Sequence, residues 1–141
     1  DSVLAYQYFF DEEQERYDLR EDVKGNMLAK TPEFTADATL TYEGELASGN
    51  PINVILQFIR RGEFMQRVSN NPFVDTVPEY QIFNLTVGID FPNNMDIDFL
   101  LLNATDENGI NSSMTDVFGV AATGIELIPP RQVMTRLSYN F

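Results

Sequence analysis

From Gln81 to Phe91 the odd positions Phe83, Leu85, Val87, Ile89 and Phe91 are all apolar, and Asn84, Thr86, Gly88 and Asp90 lie between them. A β-strand sends successive side chains to opposite faces, so this run predicts a strand with one apolar and one polar side. Arg131 to Phe141 repeats the pattern, with Val133, Thr135, Leu137, Tyr139 and Phe141 opposite Gln132, Arg136, Ser138 and Asn140. The alternation reaches the last residue without a polar tail, whereas chain ends usually fray into water. An apolar cover for the odd face is therefore expected.

Other stretches alternate in the same way. Phe34 to Leu46 sets Phe34, Ala36, Ala38, Leu40 and Tyr42 against Thr35, Asp37, Thr39, Thr41 and Glu43. Ile52 to Arg61 groups Ile52, Val54, Leu56 and Phe58 against Asn53, Gln57 and Arg61, with Ile55 and Ile59 diluting the polar side. Met95 to Ala104 sets Met95, Ile97, Phe99 and Leu101 against Asp96 and Asp98, with Leu100 and Leu102 diluting it. Ser2 to Phe10 carries Leu4, Tyr6, Tyr8 and Phe10 in one register, and because the chain opens inside that run, an upstream portion is expected. Asp11 to Lys30, Gly62 to Pro78 and Thr105 to Pro130 read as long loops. Ala47 to Pro51 and Pro92 to Asn94 read as tight turns.

Connections thus alternate long, short, long, short, long, the rhythm of an up-and-down sheet whose long loops share one end. Asp37, Glu43, Asp90, Asp96, Asp98 and Arg136 all fall opposite the apolar row, and Arg60 is the one strand charge on it. This pattern fits a membrane β-barrel, apolar outward and polar inward. It also fits a soluble antiparallel sandwich, apolar inward and polar outward, such as a carbohydrate-binding module. Run length favours the barrel: four runs hold register over the roughly 9–11 residues a tilted membrane strand needs, against a mode of about 5–6 in soluble strands. Phe34, Tyr42, Tyr80, Phe91, Tyr139 and Phe141 near strand ends fit interfacial aromatic girdles.

Composition excludes several functions. The net charge of −13 disfavours nucleic acid as a partner. The chain has no cysteine and no histidine, so it can build neither a thiolate metal site nor a Ser/His/Asp or Cys/His catalytic set, and it is not expected to be an enzyme or to need a cofactor. It also lacks a run of about 18 apolar residues that could form a transmembrane helix. The mean hydropathy of −0.22 says nothing against a barrel, whose alternating strands average out.

Short motifs lie along these runs in order: Thr31-Pro32-Glu33-Phe34-Thr35-Ala36 opening a strand; Val77-Pro78-Glu79-Tyr80 ahead of Phe83-Asn84-Leu85-Thr86-Val87-Gly88; Leu102-Asn103-Ala104-Thr105-Asp106 closing the next; and Pro130-Arg131 before the final strand and Phe141. In order and spacing the chain resembles the C-terminal end of TonB-dependent outer-membrane receptors over nearly its whole length. The resemblance implies an all-β, antiparallel, up-and-down transmembrane β-barrel segment. It would be the last six strands of a plugged barrel of about 22 strands, so residues 1–141 would not be a complete domain. Six strands cannot close a membrane barrel, the smallest of which has about eight. The implied setting is the bacterial outer membrane and the implied activity is uptake of a nutrient such as a siderophore or other metal chelate. The implied partners are outer-membrane lipid, the plug and remaining strands, TonB through an upstream segment, and the barrel assembly machinery through the terminal strand. That strand departs from many assembly signals in lacking a glycine, but it keeps the spacing of Leu137, Tyr139 and Phe141.

Candidate ligand contacts at the long loops and upper lumen wall are Tyr17, Arg20, Arg61, Phe64, Arg67, Phe73 and Tyr80. The turn at Pro92-Asn93-Asn94 gathers Asp90, Asp96 and Asp98, which with Arg136 are expected to face the plug; the carboxylates would either pair with its basic groups or simply be wetted by lumen water. The acidic run Asp11, Glu12, Glu13, Glu15, Asp18, Glu21 and Asp22 reads as a solvated extracellular loop. Asp106 to Asn111 lacks the spacing and closing glutamate of a calcium loop, so no metal site is expected. The sequons at Asn84 and Asn103 fall within strands and carry no glycosylation reading.

Overall fold

The computed structural model describes residues 4–11, 16–115 and 123–141, with side chains described for 22–114 and 123–141. The strands are β1 (Leu4–Asp11), β2 (Arg16–Asp22), β3 (Thr35–Glu45), β4 (Pro51–Arg61), β5 (Phe64–Met65), β6 (Thr76–Val77), β7 (Tyr80–Phe91), β8 (Met95–Leu102), β9 (Ile110–Thr115), β10 (Thr123–Leu127) and β11 (Gln132–Tyr139). Every pairing is antiparallel, and no helix occurs among the described residues.

The five long alternating runs form one sheet in the order β11-β8-β7-β4-β3, so each neighbours the long run next in sequence. The meander follows from the connections. Between β3 and β4 the chain reverses through a turn in which Gly49 adopts φ 86° and its N–H donates to the Leu46 carbonyl at 2.8 Å. Between β7 and β8 it reverses at Asn94, where φ is 61°, a conformation asparagine tolerates. The other connections within the sheet are long and leave from the opposite end.

Register makes the alternation of single strands into two continuous faces. Leu40, Leu56, Leu85, Leu101 and Val133 form one cross-strand row; Tyr42, Val54, Val87, Phe99 and Thr135 form the next; and Gly44, Ile52, Ile89, Ile97 and Leu137 the one after. Gly44 lies under the Tyr42 ring, where a Cβ would sit 2.5 Å from the phenol oxygen, so the aromatic fills the space beside the edge-strand glycine. The opposite face carries rows such as Glu43, Asn53, Gly88, Asp98 and Arg136. A slip of one residue would interchange the faces.

No residue of this five-stranded sheet is buried. The buried side chains among the described residues are Phe64, Asp75, Val77, Asn103, Ser113 and Ile128, all at the long-loop end. Leu40 and Leu137 are each 69% exposed on the apolar face, and no second layer covers that face among the described residues.

Four expectations need correction. Asp11 to Lys30 is not wholly loop, because Arg16–Asp22 pairs with β1 as a hairpin, with a register shift between Tyr6 and Phe9. That pairing also removes the first run from the expected six-stranded row: β1 joins β2 and not the main sheet. Gly62 to Pro78 contains the small β5–β6 hairpin, and Thr105 to Pro130 contains the β9–β10 hairpin. These segments lie beyond the sheet, where backbone groups need partners and short local hairpins supply them.

Candidate functional site

The long-loop end is a connected layer. Arg61 ends β4 on the polar face, with its guanidinium 4.3 Å from the centre of the Phe64 ring and Nη1 donating to the Asn111 carbonyl and side-chain oxygen, each at 3.4 Å. Phe64 is only 1% exposed, so it supports Arg61 and offers no surface of its own. Arg67 donates through Nε to Asp75 at 2.5 Å. Asp75 is fully buried and also accepts from the Ser69 hydroxyl and the Asn71 amide, both at 2.9 Å, which is how its charge is tolerated there. Phe73, at the tip of the same loop, is 93% exposed.

Side-chain amides join this loop to its neighbours. Asn26 Nδ2 donates to the Val68 carbonyl at 2.8 Å, and Asn70 Nδ2 donates to the Met27 carbonyl at 3.1 Å. The Ser113 amide donates to Gln66 Oε1 at 3.4 Å, joining the β9–β10 hairpin to the second loop. Tyr17 and Arg20 lie on β2, but their side chains fall outside the described residues. Tyr80 opens β7 with its ring against Gly109; a Cβ there would lie 2.6 Å from the ring, so only glycine permits this approach.

Tyr80 also borders an open cleft of about 330 Å³ with Arg60, Glu79, Gln81 and Glu107. Arg60 and Gln81 are cross-strand partners in the row above Phe58 and Phe83, whose rings lie 4.9 Å apart on the apolar face. The cleft therefore sits at the rim where that face ends. Arg60 Nη2 donates to Glu79 Oε2 at 2.7 Å. Glu107 is held through its backbone: Asn103, 4% exposed and at φ 49°, accepts from the Glu107 amide and donates to the Glu107 carbonyl, both at 2.9 Å. Asn103 Nδ2 also donates to the Pro129 carbonyl at 3.0 Å, so one side chain ties both feet of the third long loop.

At the tight-turn end, Asp90 and Asp96 are direct cross-strand partners, and Ser138 is opposite Asp96. Among the described residues neither carboxylate has an ion pair or hydrogen bond. Asp98 differs from them, because Arg136 donates to its Oδ2 through Nη2 at 2.7 Å and Nε at 2.8 Å. Asp98 thus finds its basic partner within this chain, and its other oxygen lies over Gly88, where a Cβ would come within 2.9 Å. The polar face between the two ends is wired sideways: the Asn103 amide donates to Asn84 Oδ1 at 2.9 Å, Asn84 to Gln57 at 3.0 Å, and Gln57 to Asp37 at 3.2 Å.

Of the seven residues expected to contact a ligand, Tyr80 lies at the cleft. Arg61, Phe64 and Arg67 instead sit within the loop layer, where each engages another residue of that layer. Asp75 and Asn103 were not anticipated. An aspartate in a polar loop gives no sign of burial; the asparagine directly after an apolar strand was the one available hint, since that residue type favours left-handed backbone. No group of three or more carboxylates able to hold a metal occurs among the described residues. Comparison of the chain with family models, curated proteins and solved structures finds no match.

Proposed function

We propose that this chain is part of the wall of a plugged β-barrel in the bacterial outer membrane, a TonB-dependent receptor that takes up a nutrient such as a siderophore or another metal chelate. The observation that carries the reading is the single-layer sheet, which has a continuous apolar face, a polar opposite face and its buried residues beyond one end. In water, apolar faces of sheets are covered by a second layer about 10 Å away. Here the remaining strands form two-stranded hairpins instead. Hydrocarbon is the cover that fits an apolar face of this shape.

Dimensions agree with that cover. Phe83 to Phe91 spans about 26 Å at about 3.3 Å per residue, or about 20 Å of bilayer depth after a strand tilt of about 40°. This lies close to the apolar band of about 25 Å in outer-membrane barrels, whose membrane is thinner than average. Phe58 and Phe83 mark one boundary of the band, and Phe91, Tyr139 and Phe141 the other. The polar face would line the lumen, with Asp90 and Asp96 toward the plug. The sheet edges β3 and β11 would pair with further strands of the barrel, since five strands are too few to close one.

A chain without cysteine permits a direct test. Single cysteines at Leu40, Val87 and Leu137, or at the neighbouring Thr41, Thr86 and Arg136, are labelled with an environment-sensitive dye in the protein reconstituted in lipid vesicles. Labels at the first set should be quenched by nitroxide lipids, and labels at the second by aqueous iodide. Equal access of iodide to both sets would exclude a lipid-facing surface; shielding of the first set from both quenchers would favour the soluble sandwich.

A further inference from the structure

The rim cleft has a chemistry that lumen, plug and lipid tails leave unused. Its lining joins unspent donors to unspent acceptors. Arg60 uses one of its five N–H groups on Glu79. The second oxygen of Glu79, the Gln81 amide and the Glu107 carboxylate have no side-chain partner among the described residues. Glu107 is also held in place: the buried Asn103 fixes the backbone on both sides of its Cα, so the carboxylate is presented from a rigid mount. The cleft is open to solvent and holds about 330 Å³.

The charge of the lining narrows the ligand. One guanidinium stands against two carboxylates, so the local field repels a free phosphate or carboxylate. Tyr80 is the one aromatic in the lining and its ring packs against Gly109, so no apolar wall encloses the cleft, which argues against a hydrophobic ligand. A sugar fits both constraints, because each hydroxyl donates one hydrogen bond and accepts others. Adjacent hydroxyls can give to Glu79 and Glu107 while accepting from Arg60 and Gln81, and bonds to ionised groups are the stronger kind.

Position supplies the remaining argument. Arg60 and Gln81 continue the apolar face by one row beyond Phe58 and Phe83. A ligand in the cleft would sit above the end of the hydrocarbon band, at the level of lipid headgroups. We propose that the cleft bounded by Arg60, Glu79, Gln81 and Glu107 binds a saccharide, presented either as a glycolipid headgroup or as free sugar. Its level in the bilayer rests on the membrane reading above; its chemistry does not.

Saturation-transfer NMR on the purified protein in phosphocholine micelles, with methyl β-glucoside and lactose as free probes, tests the site. A second arm places the protein in nanodiscs containing a monoglucosyl diacylglycerol. Saturation of sugar protons is expected in at least one arm. Glu107→Gln, which retains the backbone mount, and Arg60→Ala should each weaken binding about tenfold, whereas Glu45→Gln at the tight-turn end should not. Binding to the glycolipid alone identifies a headgroup site, and binding to the free probes identifies a site for soluble sugar. Absence of binding in both arms, or binding that both cleft variants leave unchanged, overturns the proposal. The cysteine-quenching experiment separates this outcome from the membrane reading. Sugar binding without lipid contact would sink the membrane assignment alone, and lipid contact without variant-sensitive binding would sink the saccharide site alone.

Discussion

Replacing Asp75 with alanine should open the second long loop while leaving the sheet intact. The carboxylate is fully buried and accepts hydrogen bonds from Arg67, Ser69 and the Asn71 amide. Hydrogen bonds to a charged group contribute about 1.5–3 kcal/mol each where the donor would otherwise be stranded. The Arg67 side chain is 31% exposed, so its guanidinium can rehydrate and its share falls to about 1 kcal/mol. The Ser69 hydroxyl can rotate to another acceptor and adds little. The Asn71 amide has no such freedom and adds about 2 kcal/mol, for a total of about 3 kcal/mol. At about 1.4 kcal/mol per tenfold, local opening should become about a hundredfold more frequent. Hydrogen exchange reads this directly at the Gln66 amide, which donates to the Asp75 carbonyl at 2.7 Å. Its protection should fall about a hundredfold, with amides of β4 and β7 unchanged. Unchanged protection at Gln66, or an equal loss across the sheet, would refute the view that Asp75 organises this loop independently of the strands beneath it.

Two further outcomes follow from the register and from the third loop. Val87→Arg places a charge near the middle of the apolar face and should destabilise the protein in lipid vesicles by about 2–4 kcal/mol, whereas Thr86→Arg, one residue away on the polar face, should cost less than about 1 kcal/mol; denaturant unfolding in vesicles compares them. Asn103→Asp turns a donor to the Glu107 and Pro129 carbonyls into an acceptor. Exchange at the Ile128 amide, which donates to the Gly109 carbonyl at 3.0 Å, should accelerate at least tenfold, while Asn103→Ala, which removes the bonds without adding repulsion, should fall between variant and wild type.

The sheet was legible because each long run has one apolar and one polar face and, among the described residues, no neighbouring layer to blur them. Expected strands Phe34–Leu46, Ile52–Arg61 and Gln81–Phe91 correspond to Thr35–Glu45, Pro51–Arg61 and Tyr80–Phe91. The β2 strand escaped notice because Tyr17 and Leu19 alternate for too short a stretch among Arg16, Asp18, Arg20, Glu21 and Asp22, a composition that reads as solvated loop. Each strand of the β5–β6 hairpin has two residues, too few to display any period. The β9 strand, Ile-Asn-Ser-Ser-Met-Thr, is assembled by pairing and by the Asn111 and Ser112 bonds to Glu126, not by an apolar pattern. Buried polar centres such as Asp75 and Asn103 depend on partners several residues away or across a loop, a relation that one-dimensional periodicity does not encode.

The separation of the buried centre from the sheet bears on how such a chain can change over time. In a packed core each side chain is constrained by the volume of its neighbours. Along β3, β4, β7, β8 and β11 no second layer among the described residues imposes that constraint, so away from Gly44 and Gly88 a substitution there should be tolerated whenever it keeps the polarity of its face. At Phe64, Val77, Asp75 and Asn103 shape and hydrogen-bond geometry both matter. Divergent copies of this chain should therefore drift freely in sequence along the strands while keeping their binary pattern. Lasting sequence identity should gather in short islands under the loops, where a polar strand-and-loop composition conceals the molecule's most constrained positions.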